Sequence, residues 1–504
     1  MKRIFLLFLL LLIGAFTACD SGSTTTSGAD NCTRGATPSS LAEAEANPQF
    51  PNLSLCKFNA IYTDSFATAY ADNPKLAKGT APYSFYSYGN LAQAYQDLFV
   101  SQASIADAAP FNGSDSFSNT REIAAFLANI NQETNGASPP SFLVSGDLVK
   151  PGGAGSLGAA YGLTAITEGS CAISGCPDYG TKKGFCESTD GTAKLSACSG
   201  ISTTPEGTDY CSLAVKFCTD TNYPPNIPAN QFFGRGSKQL THAYNYIFYG
   251  SRINPSDPLA LANEPNLIDS SGTLGWKVGL AYWSVPFQEP SGSLKPSMHD
   301  GFFNPTTGSS SAEFDAQTGF GKTVNIINGG IECGASHLYI RNTTLSRINN
   351  YIELLLRIDP TLPINRVEVT QKDGSVDVYS LADLKTNIET QNPLNTGYDP
   401  LSPTASQLVK NYSSNEVAKQ SDYTVYEPTW TMNIKWGNNG RYNSAPLLQE
   451  YYFAPDTPDL AGVTNVYNNG QTNLTKIMLF YDSNTAGLTE ERLDCAGIQD
   501  YSGN

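Results

Sequence analysis

Histidine, methionine and tryptophan are scarce in this chain, which has 3, 4 and 4 of them among 504 residues. The histidines His242, His299 and His337 do not stand in H-E-x-x-H spacing, and no C-x-x-C pair occurs. The ligand spacings of common zinc sites are therefore missing, so we expect no metal site.

Three further functional signatures are missing. The run G-F-G-K-T at 319–323 ends like a phosphate-binding loop, but Ala316 stands where that loop needs its first glycine. The chain has no G-x-S-x-G motif and no convincing Cys/His pair for nucleophilic catalysis. Carboxylates, amides, hydroxyls and aromatic rings remain, and these are the groups that carbohydrate hydrolysis uses.

Positive charge is also in short supply. Charged residues make up 15% of the chain, the formal net charge is −16, and no basic run occurs beyond the extreme N-terminus. Binding to a phosphate backbone needs clustered lysine and arginine, so we expect no nucleic-acid partner.

The N-terminus has the pattern of an export signal. It reads MKRIFLLFLLLLIGAFTACDSGS, with an apolar core from Ile4 to Phe16 that is too short for a permanent membrane helix. The small pair before Cys19 resembles a bacterial lipobox, although Phe16 stands where leucine is commonest. We expect a signal peptide at 1–18 and an exported lipoprotein, anchored in a membrane through Cys19 and facing the periplasm or the cell surface. Residues 19–55 then form a flexible tether; if the lipobox is not used, the protein is secreted.

The cysteine count agrees with export. Of eleven cysteines, ten remain when Cys19 is set aside, and this even number is compatible with five disulfides. A metal cluster is the competing interpretation, but the missing ligand spacing favours disulfides.

One glutamate stands in line with residues that should be buried. The positions Ile123, Phe126, Leu127 and Ile130 recur at helical spacing, and Glu133 is the next position on that face. Asn119 followed by Glu122 predicts the helix start, and Asn135-Gly136 predicts its end. Burial and the helix C-terminus should both raise the pKa of Glu133, which suits a general acid. The alternative is a terminal glutamate that turns into solvent.

Six separated blocks of the chain resemble one protein family in the order in which they occur. They are CKFNAIYTDSFATAYA from Cys56, TREIAAFLANINQETNG, DYCSLAVKFC with QFFGRGSKQLTHAYNY, LGWKVGLAYWSVPF with KPSMHD, GFGKTVNIINGGIECG, and the late LDC at 493–495. Together these blocks resemble the chitinases of glycoside hydrolase family 19.

The resemblance implies a mainly α fold, a two-lobed lysozyme-like chitinase core with a sugar cleft between the lobes. It places the catalytic domain at 56–360, and the C-terminal residues 486–504 return to that domain. Between them, residues 361–485 form a β-leaning insertion before the C-terminal cysteine, and its role is open.

The resemblance also implies an inverting mechanism that uses two glutamates and neither metal nor cofactor. Glu133 matches the general acid, Glu168 the general base, and Thr241 the hydroxyl that helps to hold the attacking water. An inverting pair needs its carboxyl groups roughly 6.5–9.5 Å apart. The substrate-binding positions are Gln239, Tyr244, Asn245, Lys295 and Asn328, and the charged pair near the base is Glu332 with Arg347.

Two departures from the family pattern affect these expectations. Gln132 stands where plant-type members have a histidine before the acid, so the tuning of the acid can differ. Thr164 stands where the family has a cysteine ahead of the base. By resemblance we expect the disulfides Cys211–Cys218 and Cys333–Cys495.

The insertion reads as strands. Val367, Val369, Val376 and Val378 alternate around Asp373-Gly374, which predicts a hairpin. A second alternating run brings Trp430 and Trp436, which either form a glycan-binding surface or belong to the core of a small β-rich unit. Trp276 and Trp283 lie seven residues apart on one helical face, and we expect them in the core.

The leading functional hypothesis is an endochitinase that cuts β-1,4-linked N-acetylglucosamine polymers, with chitin or chitooligosaccharides as its partner. One alternative keeps the chemistry and changes the polymer, namely a cell-wall lysin acting on peptidoglycan. The other is a catalytically dead chitin-binding protein.

Overall fold

The computed structural model describes residues 50, 53–54, 57–58, 61–62, 85–101, 103–113, 115–134, 185–186, 210–219, 232, 234–288, 294–307, 309, 311–334, 337–385, 474–482 and 488–500. The expected leader, most of the expected tether, Cys19, Glu168, and the two tryptophans Trp430 and Trp436 lie outside these residues. The tether prediction extends too far along the chain, because Phe50 and Leu53 are buried in the core, where the Phe50 ring centroid lies 5.1 Å from that of Tyr95.

The described part of the chain is mostly helical, as predicted. The helices are α1 Tyr88–Tyr95, which continues into a π-helical segment Gln96–Val100, α2 Ala103–Ala106, α3 Ser116–Glu133, α4 Tyr210–Thr219, α5 Ala243–Ile253, α6 Ala260–Asn263, α7 Leu267–Ser270, α8 Gly272–Ser284, α9 Met298–Phe303, α10 Ala312–Ala316, α11 Phe320–Glu332 and α12 Asn342–Ile358. The strands are β1 Phe287–Gln288, β2 Leu294–Lys295, β3 Ile364–Gln371, β4 Val376–Ser380, β5 Leu474–Tyr481 and β6 Glu490–Arg492. Among the described helices, none is long and apolar enough to cross a membrane.

Helix α3 carries the predicted apolar face. Ile123, Phe126, Leu127 and Ile130 are all buried, and they pack with Trp276 and Trp283 of α8 in one core, as expected for the two tryptophans. The aromatic contacts include Phe126 against Trp283, with ring centroids 5.6 Å apart. This packing holds the C-terminal end of α3, where Glu133 is the last helical residue.

The predicted start of α3 is wrong by several residues. Asp115 caps the helix by accepting a hydrogen bond from the Ser118 N–H at 2.7 Å. Asn119 lies one turn inside the helix, where its side chain bonds to the backbone of Gly113. Glu122 is fully buried and serves a different network, so the Asn-x-x-Glu pattern is not a capping box here.

The strands β4, β3, β5 and β6 form an antiparallel sheet in that order. The predicted hairpin is confirmed, because Thr370 pairs with Val376 across a turn in which Gly374 has a φ of 85°. That left-handed backbone is one that glycine adopts without strain. Val367 and Val369 of β3 are buried, whereas Val376 and Val378 of the edge strand β4 are about half exposed.

The sheet shares its buried face with the helices. Glu491 of β6 pairs with Arg121 of α3 at 2.9 Å and accepts the Phe320 N–H at the start of α11 at 2.8 Å. The Tyr481 hydroxyl also donates to Glu491, at 2.7 Å. The described strands of the expected insertion therefore belong to the same packed unit as α3 and α11.

One of the two expected disulfides is confirmed and the other is wrong. Cys333 is bonded to Cys495, with the Cα atoms 5.2 Å apart. Cys218, however, is bonded to Cys186. Cys211 and Cys218 both lie on α4, and a separation of seven residues spans about 10 Å along a helix, whereas a disulfide needs its Cα atoms within about 7 Å. Cys211 is itself disulfide-bonded, but not to Cys218.

Candidate active site

A cavity of about 410 Å³ collects most of the predicted site residues. The residues from the prediction that line it are Glu133, Gln239, Thr241, Tyr244, Asn245, Lys295 and Asn328. They come from the end of α3, the loop before α5, α5 itself, β2 and the middle of α11. Residues more than 190 positions apart thus face one space, although the sequence had linked them only through resemblance.

The loop between residues 234 and 242 places the polar side chains of one wall. Gln239 and His242 have positive φ values of 48° and 71°, and both line the cavity. Among the described residues, Phe111 is the other non-glycine residue with a positive φ. Left-handed backbone at a residue with a β-carbon costs free energy and persists where the surroundings hold it. Here the Leu240 N–H donates to the Arg235 carbonyl at 2.9 Å, which closes the turn.

Glu133 is held by an arginine from a distant helix. Arg347 of α12 donates to the Glu133 carboxylate at 2.6 Å. The Glu133 side chain is 22% exposed and lines the cavity. The same guanidinium pairs with Glu332 of α11 at 2.9 Å. Glu332 and Arg347 are thus an ion pair, and the structure brings that pair to the candidate acid.

The expected direction of the pKa shift of Glu133 is wrong. Burial raises the pKa of this carboxyl, but the charges of Arg347 and Lys238 and the hydrogen bond from Arg347 lower it by more. The pKa of Glu133 therefore lies below its usual range, and the side chain is a carboxylate at neutral pH. Burial and the helix end are local features of the sequence, whereas Arg347 and Lys238 reach Glu133 only through the fold.

The ion pair is part of a larger buried network. Thr344 donates to Glu332 at 2.9 Å, and the Asn328 side-chain amide donates to Glu332 at 2.8 Å. Asn328 sits at a kink in α11, with φ −144° and ψ 32°. The network therefore orients Asn328, which lines the cavity, through the same carboxylate that pairs with Arg347.

Sequence reasoning missed Lys238 and Tyr282 at this site. Lys238 lines the cavity with 6% of its surface exposed, and its Nζ lies 4.7 Å from the centroid of the Tyr282 ring. The sequence offered a clue to Lys238, because this residue directly precedes the predicted substrate-binding residue Gln239 in the GRGSKQLT block. Tyr282 offered no such signal, since it lies in the apolar helix α8 beside Trp283.

Glu122 of α3 lies at the centre of a second buried polar cluster, which the sequence did not predict. Its carboxylate accepts the Trp283 indole N–H at 2.7 Å and the Phe111 N–H at 2.7 Å, and it lies 2.6 Å from Nδ1 of His299. Burial lowers the pKa of His299, but the hydrogen bond and charge of Glu122, with the charge of Asp300, raise it above its usual value. Helix α9 is therefore tied to α3 by a bond that strengthens when His299 is protonated.

We expect the stability contributed by His299 to depend on pH. Because its folded pKa is raised, the contribution is complete below the unfolded value of about 6.5 and is lost as pH rises through the folded pKa. The His299→Phe variant should lose about 1–3 kcal/mol of unfolding free energy in acid and less in alkali, measured by urea unfolding at about pH 5.5 and about pH 8.5. A loss of equal size at both pH values would contradict this assignment.

Glu168 lies outside the described residues, so its distance from Glu133 stays a prediction. Within the part of the chain that the structure describes, no group of three or more histidine, cysteine, aspartate or glutamate side chains could hold a metal ion.

Comparisons with known proteins point to one family. Residues 155–359 match the model of the family described as chitinase class I, glycoside hydrolase family 19. An endochitinase from Pisum sativum is 35% identical over 146 residues, which cover 27% of this chain and 42% of the relative. Endochitinase B from Nicotiana tabacum is 36% identical over 146 residues, with the same coverage of 27% and 42%. The chain thus spans less than half the length of these curated relatives.

Solved structures give weaker likenesses. Chitinase C from Streptomyces griseus HUT6037 is 20% identical with a TM-score of 0.30, covering 59% of this chain and 92% of that one. A class IV chitinase from Zea mays is 14% identical with a TM-score of 0.28, covering 59% and 92%. The family match includes Glu168, Lys238 and Arg347, whereas Glu133 lies ahead of the matched residues. Residues 155–359 are therefore similar to the family described as chitinase class I, glycoside hydrolase family 19.

Proposed function

We propose that this chain is an endochitinase that hydrolyses β-1,4 linkages of N-acetylglucosamine polymers with inversion at the anomeric carbon. The observation that carries the proposal is the cavity in which the Glu133 carboxylate, bonded to Arg347, faces amide, hydroxyl and ammonium groups. The family match of residues 155–359 and the names of the endochitinase relatives agree with it.

In the proposed reaction Glu133 donates a proton to the glycosidic oxygen as the bond to the anomeric carbon breaks. Glu168 removes a proton from water, whose oxygen attacks that carbon from the opposite face. The product carries the proton from Glu133 on its leaving group, and Glu168 returns its own proton to solvent. No metal or cofactor takes part in these steps.

Glu133 must be protonated before it can act as the acid. In the open cavity the charges of Arg347 and Lys238 favour the carboxylate. A bound glycan displaces water from the exposed part of Glu133, and the lost solvation favours the neutral acid. We therefore propose that Glu133 takes up its proton when the cavity is filled.

Thr241 and Asn328 have roles that fit their hydrogen bonds. The Thr241 hydroxyl donates to the Gln239 carbonyl at 2.8 Å, so its oxygen lone pairs are left to accept from the attacking water. Asn328 donates to Glu332, which leaves its carbonyl oxygen for a sugar hydroxyl or amide. We propose these as the water-holding and substrate-binding contacts, with Gln239, Tyr244, Asn245 and Lys295 as further substrate contacts.

The test compares two polymers with the full chain. Release of reducing ends is measured from N-acetylglucosamine hexamer and from purified peptidoglycan. We expect cleavage of the hexamer, because the amide, hydroxyl and ammonium groups that line the cavity can bind the hydroxyl and acetamido groups of the sugar. Cleavage of peptidoglycan alone would replace the proposal with a cell-wall lysin, and binding to chitin without any cleavage would replace it with a chitin-binding protein.

A further inference from the structure

Lys238 is a buried cation with an unusual position. It lines the cavity beside Glu133, and among the described residues its Nζ has no hydrogen-bond partner. The backbone turn from Gly236 to Gln239 points the side chain inward, against the face of the Tyr282 ring. The ring face attracts a cation, but it does not replace the hydrogen bonds that water gives to an ammonium.

Burying an ammonium without hydrogen bonds is unfavourable unless a nearby charge compensates it. The charged groups that act on Lys238 are Glu133 and Glu332, which attract it, and Arg347 and Lys295, which repel it. Burial is the main reason that the pKa of Lys238 falls to about 7, and the attraction of Glu133 opposes that fall. Lys238 therefore still carries its charge in acidic solution, where Glu133 titrates.

The two cations beside Glu133 act differently. Arg347 binds both Glu133 and Glu332 through its guanidinium, and an arginine keeps its charge at every relevant pH. Within the described part of the chain Lys238 Nζ makes no hydrogen bond, so the effect of Lys238 on Glu133 is electrostatic. A methionine of similar length could fill the same space without the cost of a buried charge.

We propose that Lys238 is a positioning residue that sets the upper pH limit of hydrolysis, because its ammonium stabilises the Glu133 carboxylate and confines proton donation to more acidic solution. The inference rests on the proposed function, since it concerns the acid step of that reaction. It predicts that loss of the charge at Lys238 extends activity towards alkaline pH.

The direct test follows the Glu133 carboxyl carbon by ¹³C NMR during a pH titration of the full chain, with the signal assigned by Glu133→Gln. We expect Lys238→Met to raise the pKa of Glu133 by about one unit, since a neighbouring opposite charge shifts a carboxyl by about 1–3 units. Lys238→Arg should keep the parent value or lower it. If Lys238→Met does not fold, Lys238→Gln removes the same charge and keeps a polar group at the end of the side chain.

A matched control is available in Lys322. This lysine is also buried, its pKa is also lowered by burial to about 7, and it donates to Thr306 away from the cavity. Lys322→Met should leave the pKa of Glu133 unchanged. An unchanged Glu133 pKa in Lys238→Met, or an equal rise in Lys322→Met, would overturn the inference.

The kinetic test uses the pH profile of kcat/KM on N-acetylglucosamine hexamer. An essential acid gives the alkaline limb of this profile, so the limb should move to higher pH in Lys238→Met by about the same one unit. A purely structural role would lower the whole profile and leave its limb in place, which would contradict the inference. A parent that cleaves no hexamer would sink the proposed function, while the NMR titration would still decide whether Lys238 acts on Glu133.

Discussion

Replacement of Glu133 by glutamine should lower kcat on N-acetylglucosamine hexamer by about 10²–10⁴-fold, because general acid catalysis by a positioned side chain contributes about that much. Glutamine has the same shape and still accepts a hydrogen bond from Arg347, but it has no proton to give to the glycosidic oxygen. KM should change little, since the other cavity residues that contact the glycan remain. The measurement is steady-state hydrolysis of the hexamer by parent and variant.

A matched control separates chemistry from folding. Glu264 is an exposed glutamate in the turn after α6, and it does not line the cavity. Glu264→Gln removes the same charge and should keep the parent's kcat and melting temperature. Glu133→Gln should still be folded at the assay temperature, although it melts below the parent because its ion pair with Arg347 is lost. A Glu133→Gln variant that retained more than about a tenth of the parent's kcat would remove Glu133 from the acid role.

The second large effect concerns Arg347. Arg347→Met leaves the carboxylates of Glu133 and Glu332 without their shared cation, and the guanidinium is itself 2% exposed. Removal of one partner from a buried ion pair costs about 3–5 kcal/mol because the other charge stays buried. We expect a loss of that size in the free energy of unfolding by urea at neutral pH, together with loss of hexamer cleavage.

The control for Arg347 is a pair of the same type on the surface. Arg366 lies 2.6 Å from Glu368, with 37% and 28% of the two side chains exposed. Arg366→Met should cost less than about 1 kcal/mol, because water screens an exposed pair. Equal losses in the two variants would contradict the network as described.

The effect of Arg347→Met should also depend on pH. The folded pKa of Glu133 is lowered, so its pairing with Arg347 stabilises the fold above the unfolded pKa of glutamate and is lost as pH falls through the folded one. The difference between parent and Arg347→Met should therefore shrink in acid, which is opposite to the behaviour expected for His299.

Residue spacing within short segments predicted the features of this fold that depend on neighbouring residues. The apolar face of α3, the burial of Trp276 and Trp283, and the β3–β4 hairpin all follow from spacing along short segments. The Cys333–Cys495 disulfide and the cavity residues came from resemblance, because no pattern in the chain connects residues so far apart.

Long-range contacts account for the parts that could not be predicted. The pKa of Glu133 is lowered mainly by Arg347, which is 214 positions away. Glu122 reads as a capping residue by local spacing, yet it is buried against Trp283, which is 161 positions away. The Cys186–Cys218 disulfide is another such contact, and its cysteines are 32 positions apart. The expected pairing Cys211–Cys218 came from resemblance, and the helix that carries both cysteines rules it out.

The most direct test of the account is the anomeric configuration of the first products. Hydrolysis of N-acetylglucosamine hexamer is followed by ¹H NMR within the first turnovers, before mutarotation mixes the anomers. The account predicts that the new reducing ends begin as the α-anomer, because water attacks the face opposite the leaving group, and that Glu133→Gln forms none. Initial β-anomer would contradict inversion, and no cleavage at all would contradict the assignment of this cavity to chitooligosaccharide hydrolysis.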